Sequence, residues 1–153
     1  DGVIGKTMED NFRAWTAAFY KIGIEIEKEK YFLVEGATAR SVAEYFLNIH
    51  GRDLCLAEQM VKLKEEHYIR NHNFCLYDGV EELVSRLKRN SFRLGVVSGA
   101  GRKRLYSLGI EHFLTNFEVV VTGDVIMKGK PSHLCGADKI IKNIGEAAGI
   151  LLG

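Results

Sequence analysis

Hydrophobic positions along the chain follow two different periods. From Met8 to about Phe74 the signal is helical almost throughout. Phe12, Trp15, Ala18, Phe19 and Ile22 recur at spacings of three, four and seven residues, which places them on one face of a helix. Gly23 stands where a C′ glycine ends such a helix. A second helix is predicted from near Arg40 through Val42, Tyr45, Phe46 and Ile49 to Gly51. A third carries Leu56, Met60, Leu63 and Ile69, with Lys62, Lys64, Glu65 and Glu66 on its solvent side. After Asp78-Gly79 the pattern becomes an alternation of helix and apolar strand. Val80–Leu87 reads as an amphipathic helix, Leu94–Val97 as a short buried strand, Arg102–Leu108 as a helix and Glu118–Val121 as another strand. Alternation of this kind argues for parallel βαβ units. The chain is therefore expected to be α/β, with an all-helical segment set near the front of the core.

Composition changes this picture little. The 153 residues are 46% hydrophobic and 27% charged, as in a soluble globular chain of one domain or one domain plus an insert. Lys+Arg 21 against Asp+Glu 20 leaves +1, so charge gives no reason to expect a nucleic-acid partner. No apolar run approaches the roughly 20 residues that cross a bilayer, and no signal-peptide pattern is seen. The expectation is a cytoplasmic protein with no membrane partner. Cys55, Cys75 and Cys135 are odd in number and widely spaced, which points to reduced, partly buried thiols rather than a disulfide framework or a zinc site. His67 and His72 lack the i, i+4 spacing of a zinc helix and read as part of a solvated helix end.

Three fragments carry chemistry. Asp1-Gly2-Val3-Ile4 opens the chain. Leu94–Val97 runs out into Ser98-Gly99-Ala100-Gly101, where a hydroxyl and the backbone N–H groups of Gly99 and Ala100 can hold an oxyanion such as phosphate. The bland reading of Ser98 is a helix N-cap in an ordinary βα turn, and Arg102 and Lys103 beyond it read as a solvated basic turn. Gly129-Lys130-Pro131 supplies a cation at a turn.

Together these fragments resemble the haloacid dehalogenase (HAD) superfamily, in the subclass of β-phosphoglucomutase and the phosphoglycolate-type phosphatases. The resemblance implies a Rossmann-like parallel sheet core, residues 1–7 and 76–153, with an α-helical cap inserted over 8–75. It implies a nucleophilic aspartate two positions before Asp1, with Asp1 as general acid and base and Thr7 in the usual Ser/Thr position. Lys6 departs from the Asp or Asn common there, which bears on substrate preference more than on fold. Ser98 and Lys130 would hold the phosphoryl oxygens, with Gly99 and Ala100 contributing N–H groups. Asp1 and Asp138 would hold Mg²⁺. Glu146-Ala147-Ala148-Gly149 resembles the helix ending that follows the metal-binding acid.

In the insert, Gly36-Ala37-Thr38-Ala39-Arg40 resembles the cap loop that contacts substrate. Arg40 would take a distal phosphate or carboxylate through its planar fork, and Glu35 and Thr38 would select hydroxyls. A helix-initiating loop with a solvated arginine is the alternative. Relative to the family two stretches are missing, one before Asp1 and one between Pro131 and Asp138, where a crossover of about a dozen residues is expected. Ordered residues joined across gaps, a deleted product and a divergent relative would each produce this. The function implied is a Mg²⁺-dependent phosphatase of a small phosphorylated metabolite, a monomer or dimer. A phosphomutase and a non-catalytic binding or regulatory domain are the alternatives.

Overall fold

The computed structural model describes residues 2–124. The chain divides into two compact units, Thr7–Asn73 and, from the two flanking segments, Asp1–Lys6 with Phe74–Gly153. The helical insert comprises α1 (Met8–Tyr20), α2 (Lys28–Leu33), α3 (Ala39–Ile49), a 3₁₀ turn (Leu54–Leu56) and α4 (Ala57–Asn71). Among the described residues no strand lies between Met8 and Phe74. The second unit holds α5 (Val80–Arg89), β1 (Gly95–Val97), α6 (Arg102–Tyr106), α7 (Glu111–Leu114) and β2 (Val119–Val121). The α/β class is as expected; α2 and α7 are additions, each too short to show a period.

In the insert, α1 and α3 pack on α4. The apolar face of α1 and that of α3 meet in a core containing Trp15, Phe19, Ile24, Tyr31, Phe46, Leu47 and Met60. Trp15 stacks on Phe19 at 5.7 Å between ring centroids, and Phe19 tilts against Phe46 at 5.6 Å. Burying side chains of this size stabilises by about 1.5–3 kcal/mol each, before the entropy of ordering them is subtracted.

One position departs from the expected pattern. Lys64, read as solvent-facing, is only 3% exposed. Its ammonium lies 5.7 Å from the Trp15 ring centroid, 5.3 Å from that of Tyr68 and 3.0 Å from a Glu65 carboxylate oxygen. The inward face of α4 is Ala57, Met60, Lys64 and Tyr68, at spacings of three, seven and eleven from the first. Aromatic faces and a carboxylate replace the water a buried cation loses, so the helix keeps its period with a lysine on the inside. Cys55 and Cys75, expected to be partly buried, are both exposed. Cys55 lies in the 3₁₀ turn that Asp53 caps by accepting the Cys55 N–H at 2.9 Å, and that carboxylate, hydrogen-bonded also to the thiol, pushes the Cys55 thiol up from its ordinary pKa. Cys135 lies outside the described residues.

Three helices end in the same way. After α1, the Ile24 N–H bonds the Phe19 carbonyl at 3.1 Å and Gly23 N–H bonds Tyr20 at 3.0 Å. After α3, Arg52 bonds Leu47 at 2.8 Å and Gly51 bonds Asn48 at 3.0 Å. After α5, Phe92 bonds Leu87 at 3.1 Å and Ser91 bonds Lys88 at 3.0 Å. This paired pattern requires one left-handed residue, supplied by Gly23 (φ 71°), Gly51 (φ 61°) and, on α5, by Ser91 (φ 61°). A Cβ in that region costs about 1 kcal/mol, so Ser91→Gly should stabilise the protein by up to about that amount. Urea denaturation of the two forms measures it; an unchanged or lowered midpoint would refute the account.

In the α/β unit, Val80, Leu83, Val84 and Leu87 form the buried face of α5. Glu81 and Glu82 in its first turn and Arg86, Lys88 and Arg89 in its last complement the helix dipole. Val80, Val84 and Phe113 form a small core against which Ile4, Leu76, Leu94 and Phe117 pack. β1 and β2 are parallel, with Gly95, Val96 and Val97 opposite Val119, Val120 and Val121. The first of these strands was expected to be buried. Gly95 is exposed and Val96 and Val97 are half-buried, since a described sheet of two strands covers each from one edge only. The opening segment joins this unit by an antiparallel bridge, Gly5 opposite Leu76, with Lys6 N–H on the Cys75 carbonyl at 2.8 Å and Tyr77 N–H on that of Ile4 at 3.0 Å. A Cβ on Gly5 would stand 2.2 Å from the Phe74 ring, so this crossing admits only glycine unless the ring moves.

Candidate functional site

Parallel strands release their chain ends on the same side, and open α/β sheets place ligands at that edge. Here β1 runs into Ser98-Gly99-Ala100-Gly101 and β2 into Thr122-Gly123-Asp124. Ser98 continues the ladder, its N–H donating to the Val121 carbonyl at 2.9 Å. Its side chain turns back so that Oγ accepts the Ala100 N–H at 3.1 Å. Ser98 and Ala100 are buried, whereas Gly99 between them is exposed.

This geometry revises two details of the expectation. Ser98 is not an N-cap: Gly101 holds that position on α6. The Ala100 N–H does not point into the ligand space but is taken by Ser98 Oγ. Accepting that bond leaves the Ser98 hydroxyl proton to donate elsewhere, since a hydroxyl is one donor and two acceptors. Beside it, a Cβ on Gly99 would meet nothing within 4 Å. The turn thus presents a hydroxyl donor with open space at the next residue, an arrangement suited to a tetrahedral oxyanion.

Of the other expected site residues, Asp1, Lys130 and Asp138 lie outside the described residues, as do Pro131 and the Glu146-Ala147-Ala148-Gly149 ending. Arg40 is in the helical insert. Its Nε bonds Glu44 at 2.8 Å and its Nη1 bonds Glu58 at 3.2 Å, and these carboxylates, Glu44 foremost, raise its pKa further. A ligand taken by Arg40 has to displace them. Thr38 caps α3, accepting the Ser41 N–H at 3.1 Å, and shares a 2.7 Å hydrogen bond with the Ser41 hydroxyl. Lys6 sits 3.5 Å from Asp78 and 5.7 Å from the Tyr77 ring centroid. Thr7 Oγ1 is buried and has no hydrogen-bond partner among the described residues.

Asp124 is a participant that sequence reasoning missed. Its carboxylate accepts the Arg102 N–H at 3.2 Å across the two loops. A hydrogen bond from Thr122, and then that from Arg102, hold its pKa below the ordinary carboxylate range. The Thr-Gly-Asp run directly after an apolar strand was the available signal, since a glycine and an acid at a strand end form a turn that can bind a neighbouring backbone. Arg102 itself reaches over the Tyr106 ring at 5.5 Å, while Arg104 is buried.

A separate cleft of about 140 Å³ in the insert is lined by Asp10, Arg13, His67, Tyr68, Asn71 and His72. His67 and His72 are half-buried rather than fully solvated, and the His72 ring stacks on Tyr68 at 5.5 Å. Asp10 is held there by Arg13 and by the Asn73 N–H at 2.8 Å. Among the described residues no three His, Cys, Asp or Glu side chains gather closely enough to hold a metal ion. No helix among them is long and apolar enough to cross a membrane.

The parallel strands, the loop chemistry at their ends and the helical insert define a HAD-like α/β protein. The family model of the haloacid dehalogenase-like hydrolases matches residues 1–145, and the chain belongs to that family. Among solved structures it is similar to a provisionally assigned haloacid dehalogenase-like hydrolase from Bacteroides fragilis, with a TM-score of 0.77 and 16% identity over 100% of this chain and 70% of that one. It is also similar to β-phosphoglucomutase from Clostridium difficile (TM-score 0.72, 22% identity, 86% of this chain and 62% of that one). A predicted phosphoglycolate phosphatase from Haemophilus somnus gives a TM-score of 0.66 at 17% identity, over 87% and 66% of the two chains. Identities this low establish the fold alone. The chain spans 62–70% of the lengths of these three proteins. No curated protein matches it.

Proposed function

We propose that this chain carries the phosphoryl-handling site of a Mg²⁺-dependent phosphatase acting on a small phosphorylated metabolite, a sugar phosphate or a phosphoglycolate-like acid. The observation that carries the proposal is the buried Ser98 at the carboxyl end of β1, its hydroxyl proton left to donate beside the open Gly99 turn, in a chain of the haloacid dehalogenase-like hydrolase family.

In this reading an aspartate two positions before Asp1 attacks phosphorus. The P–O bond to the metabolite breaks, and Asp1 gives its proton to the leaving oxygen. Asp1 then takes a proton from a water whose oxygen attacks the phospho-aspartate, and phosphate leaves. Ser98 Oγ–H and the Gly99 N–H bind the phosphoryl oxygens, and Lys130 supplies a compact positive charge. Asp1 and Asp138 offer the hard oxygen donors that Mg²⁺ takes, and the ion would neutralise charge on the phosphoryl group. The insert, residues 8–75, serves as a cap, and Arg40 exchanges its glutamate partners for an acidic group of the substrate. A phosphomutase is the second reading, favoured by the structural similarity to β-phosphoglucomutase.

The test uses protein that includes the residues preceding Asp1, assayed against sugar phosphates and phosphoglycolate with Mg²⁺ and with EDTA. Release of inorganic phosphate with Mg²⁺ only is the expected result; interconversion of sugar-phosphate isomers without release identifies the mutase. Absence of both turnover and phosphate binding would overturn the proposal.

A further inference from the structure

The turn that presents Ser98 is short, and α6, which follows it, has only five residues. Neither has the length to hold its own shape by local hydrogen bonding. What holds the turn is the loop after β2. Four contacts join the two loops in sequence order. Ser98 N–H bonds Val121 carbonyl at 2.9 Å, and Gly123 N–H bonds Ala100 carbonyl at 2.8 Å. The Gly123 backbone lies so close that a Cβ there would stand 2.2 Å from the Gly99 carbonyl oxygen and 2.7 Å from its carbon. Last, Asp124 Oδ2 accepts the Arg102 N–H at 3.2 Å.

These contacts bracket the exposed Gly99 on both sides, at Ser98 and Ala100 before the helix and at Arg102 in it. Asp124 is exposed, so its carboxylate contributes little by burial. Its identifiable work is to accept the Arg102 N–H while Thr122, itself buried, donates to it. Gly123 does not adopt a left-handed φ. Its lack of a side chain is needed for the close approach to Gly99, not for the backbone conformation.

We infer that Gly123 and Asp124 are positioning residues for the Ser98–Gly99 oxyanion turn, acting through backbone contact and the Arg102 N–H without touching the phosphoryl group. This inference rests on the reading of that turn as the phosphate site. It assigns to Thr122-Gly123-Asp124 the preorganisation on which hydroxyl and N–H donors depend, because donors aimed in advance cost no reorganisation when charge arrives.

Inorganic phosphate and orthovanadate, titrated into the protein with Mg²⁺ and followed by calorimetry, test it. Asp124→Ala should weaken binding about tenfold with little change in melting temperature, since the residue is at the surface. Asp124→Asn keeps an acceptor oxygen for Arg102 and Thr122 and should bind within about threefold of the parent. Gly123→Ala should weaken binding as much as Asp124→Ala or more, by forcing the two loops apart. In turnover by protein that includes the residues before Asp1, kcat should fall more than KM rises, as misplacement of a donor predicts.

If the parent binds phosphate and Asp124→Ala binds equally well, the positioning role is wrong while the phosphate site stands. If Asp124→Asn fails as badly as Asp124→Ala, the carboxylate charge is what matters and the tether account is wrong. If the parent binds neither anion, the reading of the Ser98 turn fails and this inference falls with it.

Discussion

Ser98→Ala should lower kcat/KM for phosphate-ester hydrolysis by about 10²–10³, the loss seen when one preorganised oxyanion donor is removed. The substitution deletes the only side-chain hydroxyl in the turn. It also strands the Ala100 N–H, which is buried and bonds Ser98 Oγ at 3.1 Å. An orphaned buried donor costs about 1–3 kcal/mol, so some stability will be lost as well, and the two effects need separation. Ser98→Thr keeps the hydroxyl and the acceptor, and should recover most of the activity if its added methyl is accommodated. Steady-state kinetics on the three forms, with melting temperatures alongside, distinguish the roles. Unchanged kcat/KM in Ser98→Ala would remove the residue from the phosphate site. Activity restored by Ser98→Thr only in proportion to stability would make it structural.

Phe46→Ala should cost the helical insert about 3–5 kcal/mol, the range for emptying a large aromatic site in a core that cannot fully collapse. Phe46 is 0% exposed, tilts against Phe19 and meets Tyr45 edge-on, so its removal leaves a cavity inside the packed aromatic cluster. Domains are stable by only about 5–15 kcal/mol, and a loss of that size leaves the insert marginal. Its unfolding has a built-in reporter: Trp15 is the chain's single tryptophan, 2% exposed and stacked on Phe19. Tryptophan fluorescence therefore reports the insert, whereas far-ultraviolet dichroism reports both units. The fluorescence transition should move to lower urea by the predicted amount. A shift below about 1 kcal/mol would mean that the aromatic cluster repacks and that its pairwise contacts carry little of the stability.

Much of the fold was legible because it is local. A period of 3.6 places Phe12, Trp15 and Phe19 on one face whatever surrounds them, and the same holds for Val80, Val84 and Leu87 on α5. Gly23 and Gly51 announced their helix ends, because a left-handed residue is cheapest as glycine. Ser91 performs the same task without that signal and could not be read. Ser98, Gly99 and Ala100 were found as a set, since an apolar strand running into a hydroxyl and glycines is visible in one line of sequence.

What the sequence by itself determined is the class of the longer helices and of both strands, the α/β alternation and the candidate oxyanion turn, all of which depend on neighbours within a few residues. Tertiary structure alone decided the inward placement of Lys64, the capture of the Ala100 N–H by Ser98 and the tether from Asp124 to Arg102. Lysine is inside because Trp15, from another helix, and Tyr68 supply ring faces where water would have been. Asp124 matters because parallel strands bring residues 22 positions apart to one sheet edge. Such partners are chosen by three-dimensional proximity, and no local period or propensity encodes which distant group will arrive.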